Sequence, residues 1–133
     1  MLLINKIFII NLLFAFVKLN KTERLILFSL GEFYSQLNQP LEKPLKLRTS
    51  KVVFITFILH SQIITTQERA LYKNLESLED KKLISYEGRM IHLTARGLEI
   101  LTKIKDEIGR FVEIKKFFTS KRKLKKEFQT VIS

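Results

Sequence analysis

Gln67, Arg69, Tyr72, Lys73 and Glu76 lie in a stretch that also carries Leu71, Leu75 and Leu78 at spacings of three and four. On a helix the two sets fall on different sides, one polar and one apolar. The polar set suits hydrogen bonding to the flat edges of heterocycles. Arg grips guanine O6 and N7 with two bonds, Gln does the same for adenine, Glu accepts from the cytosine amine, and Lys73 reaches a base or a phosphate. This is recognition chemistry rather than bond-making chemistry. Residues for the latter are scarce: there is no Cys, so thiolate metal sites, disulfides and cysteine nucleophiles are excluded. His60 and His92 fall in apolar runs without a partner at ligand spacing and read as core or strand histidines. The glycines, Gly31, Gly88, Gly97 and Gly109, are too scattered for a phosphate loop. Acidic residues lie beside lysines, as in Glu79/Asp80 with Lys81/Lys82 and Asp106/Glu107 with Lys103/Lys105, and read as ion pairs. The expectation is a chain that is not an enzyme, with no catalytic residue, metal or cofactor.

A charged, mixed-sign helix face also arises from plain solvation, so the elements around it decide its meaning. Leu25, Phe28, Leu30, Phe33 and Leu37 predict a first helix from Thr22, with Gly31 its weak point. Pro40 and Pro44 break it, and Leu45 to Arg48 alternates apolar with basic like a short strand. Thr49 and Ser50 can cap a second helix through Ser61, although its Val- and Ile-rich content suits a buried strand equally well. Thr65 and Glu68 have the spacing of a capping box, so a third helix is expected to start there and run to about Leu83. Residues 83–86 and 90–93 read as a hairpin, with Gly88 supplying the positive φ of its turn. Thr94 then caps a long helix in which Leu98, Leu101, Ile104, Ile108, Phe111 and Phe118 keep helical register, weakened at Gly109.

The chain has 133 residues and a net charge of +11, with pI near 10.0, a balance that favours polyanionic partners. The charge is uneven and defines three zones. Residues 1–21 are an apolar segment whose possible fates are a core or dimer-seam helix, a membrane anchor, or a mis-assigned start. Residues 22–114 are the folded domain and carry only +2, whereas residues 115–126 carry seven basic side chains and no acidic one. The tail, 115–133, also repeats Phe117, Leu124, Phe128 and Val131 at helical spacing, the pattern of an amphipathic helix.

Residues 68–101 resemble the recognition helix, wing and following helix of MarR-type and related archaeal winged-helix regulators. Three pieces carry the likeness: Leu75-x-x-Leu78-Glu79-x-x-x-Leu83-Ile84, the short hairpin around Gly88, and Leu93-Thr94-x-x-Gly97. A looser match extends back to Thr22. Where these families often have Gly before the Leu-Ile pair, this chain has Lys82, so its helix is expected to end without a left-handed glycine cap. Its wing is also short.

The resemblance implies a mainly α fold with a small β-hairpin wing, a winged helix-turn-helix, dimeric through its terminal helices. It also implies a cytoplasmic transcriptional regulator that reads double-stranded DNA. The recognition helix would span about 66–82 and the wing 86–90, with Gln67, Arg69, Tyr72, Lys73, Glu76, Arg89, Ser50 and Lys51 at the DNA. Lys115, Lys116, Lys121, Arg122, Lys123, Lys125 and Lys126 would add contacts to phosphate without reading sequence. Leu101, Ile104, Ile108 and Phe111 are the candidate seam of a homodimer. No residue set identifies a small-molecule effector. Two alternatives stand beside this reading: a winged-helix protein-interaction module with a nucleic-acid-binding tail, and a regulator tethered to a membrane by residues 2–19.

Overall fold

The computed structural model describes residues 18–39 and 48–120. Of the expected strand at Leu45–Arg48, residues 45–47 lie outside the described residues and Arg48 is not in a strand; most of the apolar N-terminal zone and the tail from Lys121 onward also lie outside them. The fold is mainly helical with one antiparallel two-stranded hairpin: α1 (Lys21–Asn38), α2 (Lys51–Ser61), α3 (Glu68–Asp80), β1 (Ile84–Glu87), β2 (Met90–Leu93) and α4 (Ala95–Ser120). It divides into two units, Met1–Leu101 and Thr102–Ser133. None of the helices among the described residues is long and apolar enough to cross a membrane.

The start of α1 is set by a capping box. The Asn20 side chain accepts from the Glu23 N–H at 2.7 Å, and the Glu23 carboxylate accepts from the Asn20 N–H at 3.1 Å. Glu23 is 2% exposed, and its carboxylate also accepts from Ser77 Oγ and Lys81 Nζ, so one side chain both caps α1 and fastens it to α3. Burial alone would raise its pKa. The bonds from Lys81, the Asn20 backbone and Ser77, with the Lys81 charge, outweigh burial and hold it below the ordinary carboxylate value. Lys81 is thus joined to Glu23, a residue far away in sequence.

Helix wins over strand at residues 51–61 because the core selects residues at helical spacing. Phe54, Ile55 and Ile58 are buried while Val52, Val53 and Phe57 point outward, a pattern that strand alternation would not produce. Ser50 caps the helix by accepting from the Val53 N–H. The expected Thr65–Glu68 capping box does not form: α3 begins two residues later than the box requires, with Gln67 as N-cap and no side-chain cap bond. Ile64, 6% exposed, is buried in the core within the non-helical residues 62–67 that precede α3.

The end of α3 corrects another expectation. Lys82 itself adopts the left-handed conformation, with φ of 62°. The Leu83 N–H donates to Leu78 O and the Lys82 N–H to Glu79 O, the paired bonds of a Schellman cap, and both Leu78 and Leu83 are fully buried. Those bonds and that apolar contact hold a lysine where glycine is usual.

The hairpin pairs Ile84 with Leu93 and Glu87 with Met90, leaving Gly88 and Arg89 as a two-residue turn. Gly88 has φ of 63° and Arg89 does not share the positive sign, which matches the turn that places Gly at its first central position. Thr49 and Ser50 add a rudimentary third strand: the Ile91 N–H donates to Thr49 O at 2.8 Å and Ser50 bridges Met90. Tyr34 of α1 secures this edge by donating its hydroxyl to Ile91 O and accepting from the Thr49 N–H. As expected, Thr94 caps α4, accepting from the Gly97 N–H and donating to Lys82 O. The core comprises Ile26, Leu27 and Leu30 of α1, Phe54 and Ile55 of α2, Leu71, Leu75 and Leu78 of α3, and Leu83, Ile84 and Ile91 around the hairpin.

Candidate nucleic-acid interface

Leu71, Leu75 and Leu78 are fully buried along one side of α3. That anchors the rotation of the helix and leaves Arg69, Lys73 and Glu76 exposed, with Tyr72 half-buried beside them and Gln67 exposed at the N-cap. Arg69, Lys73 and Glu76 therefore share the exposed side of one helix, with Tyr72 at its border and Gln67 just before its first turn. Its charge is polarised: Arg69 and Lys73 occupy the first half, while Glu76, Glu79 and Asp80 crowd the second. With Glu68 included, α3 has a net charge of −2.

The N-terminus of α2 meets the hairpin. Ser50 is occupied as a cap, and Lys51 Nζ lies 4.9 Å from the centre of the Tyr86 ring, a cation–π contact that draws the ammonium over β1. The Tyr86 hydroxyl is buried and has no hydrogen-bond partner. Its pKa is pushed up to about 12, first by burial and then by the charges of Glu79 and Glu76. Tyr86, not among the residues expected at the DNA, thus holds Lys51 of α2 over its ring and feels the charges of Glu79 and Glu76 on α3. Only its alternating position in the strand marked it in advance.

Arg89 is exposed at the hairpin tip. Nearby, Arg48 bonds the Glu87 carboxylate. That hydrogen bond and the Arg48 charge hold the Glu87 pKa below its ordinary value. Of the tail cations, Lys115 and Lys116 are exposed on α4, in the second unit, and the other five lie outside the described residues.

The candidate seam residues separate into two kinds. Leu101 and Ile104 are buried, at 4% and 8% exposure, and Leu101 packs so closely on Gly31 that a Cβ there would sit 2.4 Å from its side chain. Ile108 and Phe111 are exposed, and Val112 and Phe118 extend their stripe. His60, expected in the core, is exposed in the last turn of α2, whereas His92 is half-buried on β2 opposite Ser85. Among the described residues no three His, Cys, Asp or Glu side chains gather in a way that could hold a metal ion.

Comparison with known proteins returns no match to a family model, to a curated protein or to a solved structure.

Proposed function

We propose that the chain is a winged helix-turn-helix protein that reads double-stranded DNA as a homodimeric regulator of transcription. The observation that carries this reading is the setting of α3: a fully buried leucine stripe on one side, Arg69 and Lys73 exposed on the other with Tyr72 half-buried beside them, Gln67 at the N-cap, α2 before it and a glycine-turned hairpin after it. In this reading the first half of α3 enters the major groove. The acidic second half stays away from the phosphates, and Glu76 at the boundary accepts from a cytosine amine. Ser50, Lys51 and Arg89 flank the groove, and the basic tail supplies attraction that does not depend on sequence.

The homodimer rests on the exposed stripe Ile108, Phe111, Val112 and Phe118 of α4. A two-fold dimer that reads successive turns of DNA spaces its two recognition helices roughly 34 Å apart. The net negative charge of α3 favours one other reading, a protein-interaction module whose nucleic-acid affinity comes from the tail alone.

A salt titration of binding to the chain's own upstream DNA and to random DNA separates the two, using intact protein and the Arg69→Ala/Lys73→Ala variant. A regulator prefers the upstream DNA and loses that preference in the variant, each lost base contact weakening discrimination by about 1–3 kcal/mol. Equal binding to both DNAs, unchanged by the substitutions, identifies the interaction module.

A further inference from the structure

A hollow of about 530 Å³ follows α1 from Leu25 to Leu37 and is closed on its other side by Phe57, Ile58 and the turn at Ile63 and Ile64. Its polar lining is small and partly committed: the Ser29 hydroxyl donates to Leu25 O and the Ser61 hydroxyl to Ile58 O, so neither is directed at a ligand. Large apolar groups stand open at its margin, with Phe57 57% and Ile63 79% exposed. An apolar surface of this kind marks a contact site.

We propose that this hollow seats apolar side chains from residues 2–17 of the same chain. Three observations select that occupant. Residues 1–17 are apolar except for Asn5, Lys6 and Asn11, matching the lining in character. The segment joins α1 through Lys18–Asn20, and the hollow begins at Leu25, in the second turn of that helix. The reach is sufficient: Leu25 to Leu37 spans roughly 18 Å at 1.5 Å per residue, and sixteen residues cover roughly 24 Å even at that short rise. A tether this short makes the contact intramolecular, at an effective concentration on the order of millimolar, ahead of a second copy in dilute solution. The hollow is too small for the whole segment and takes a few of its side chains. The inference does not depend on DNA binding.

Because the chain has no cysteine, Ile63→Cys in the full-length protein offers a single site for a nitroxide spin label. In spin-labelled, nitrogen-15 protein diluted into unlabelled protein, amide signals within residues 2–17 should broaden. In a mixture of spin-labelled protein with separate nitrogen-15 protein they should not. Phe57→Asp, at an exposed position, should abolish the broadening while hairpin signals stay in place. Broadening confined to the mixture would assign the hollow to a partner copy. That result, absence of broadening in both samples, or broadening that survives Phe57→Asp would overturn the proposal.

Discussion

Lys81 Nζ, at the C-cap of α3, bonds both carboxylate oxygens of Glu23, in the first turn of α1, at 2.9 and 2.7 Å. The same ammonium donates to Lys18 O at 2.7 Å, and Asn20 reaches Asn74, so the start of α1 is held to α3 at several points. Glu23 is almost wholly enclosed while Lys81 keeps part of its side chain in water. Removing the lysine therefore strands a buried charge, which costs more than removing both partners. Lys81→Met should lower stability by about 2 kcal/mol, less than a fully buried pair would lose. Urea unfolding at pH 7 measures it, and a change within error would show that water replaces the ammonium.

The same pair predicts a pH dependence. The folded-state pKa of Glu23 is lowered from 4.5, so as pH falls the unfolded chain takes up this proton first. Its contribution is fully present above the unfolded value and is lost as pH drops through the lower folded value. The stability difference between the wild type and Glu23→Gln should therefore be constant from pH 7 to about 5 and narrow below the unfolded value. Urea midpoints of both proteins across that range test it, and a difference that stays constant to pH 3 would remove the carboxylate as its source.

Two glycines of α4 should respond oppositely to alanine. A Cβ at Gly97 would lie 2.0 Å from Leu83 O, the carbonyl that also accepts from the Thr94 N–H, so the helix start would have to lift from the backbone it caps. Gly97→Ala should destabilise by about 3 kcal/mol. Gly109 has open space around it, and Gly109→Ala should stabilise by about 0.5–1 kcal/mol through helix propensity alone. Thermal unfolding of the two variants gives both signs.

Lys82→Gly should raise stability. The left-handed backbone at this position costs an L residue about 1 kcal/mol, and glycine removes that cost while giving back part of it as unfolded-chain entropy. The expected net gain is about 0.5 kcal/mol. A loss on denaturant unfolding would mean that the lysine side chain contributes more than its backbone strain subtracts.

Much of the local architecture was legible because its causes are local. The leucines of α3 at threes and fours dictate both its helix and its buried side, so the exposure of Arg69, Lys73 and Glu76 followed directly. Gly88 announced its turn, and Thr94 its cap, through chemistry confined to three or four residues. Residues 51–61 were not legible in this way, since Val, Ile and Phe in an unbroken apolar run satisfy either period. The choice came from which residues the core could enclose.

What the sequence determined by itself was therefore the helices at α1, α3 and α4, the hairpin and the polar side of α3, each set by periodicity or by one residue's backbone freedom. Tertiary structure alone decided the rest. It left Thr65 without its expected capping box, with Ile64 buried ahead of the Gln67 N-cap, and it tied Glu23 of the Asn20 capping box on α1 to Ser77 and Lys81 of α3. It put Lys82 in a left-handed cap, because the Leu78–Leu83 contact and two backbone bonds hold it there. It joined Lys81 to Glu23 and Lys51 to Tyr86, and it enclosed Leu101 against Gly31 while leaving Phe111 in the open. The pairs Lys81–Glu23, Lys51–Tyr86 and Leu101–Gly31 join residues distant along the chain, and no spacing rule specifies such contacts before packing brings the elements together.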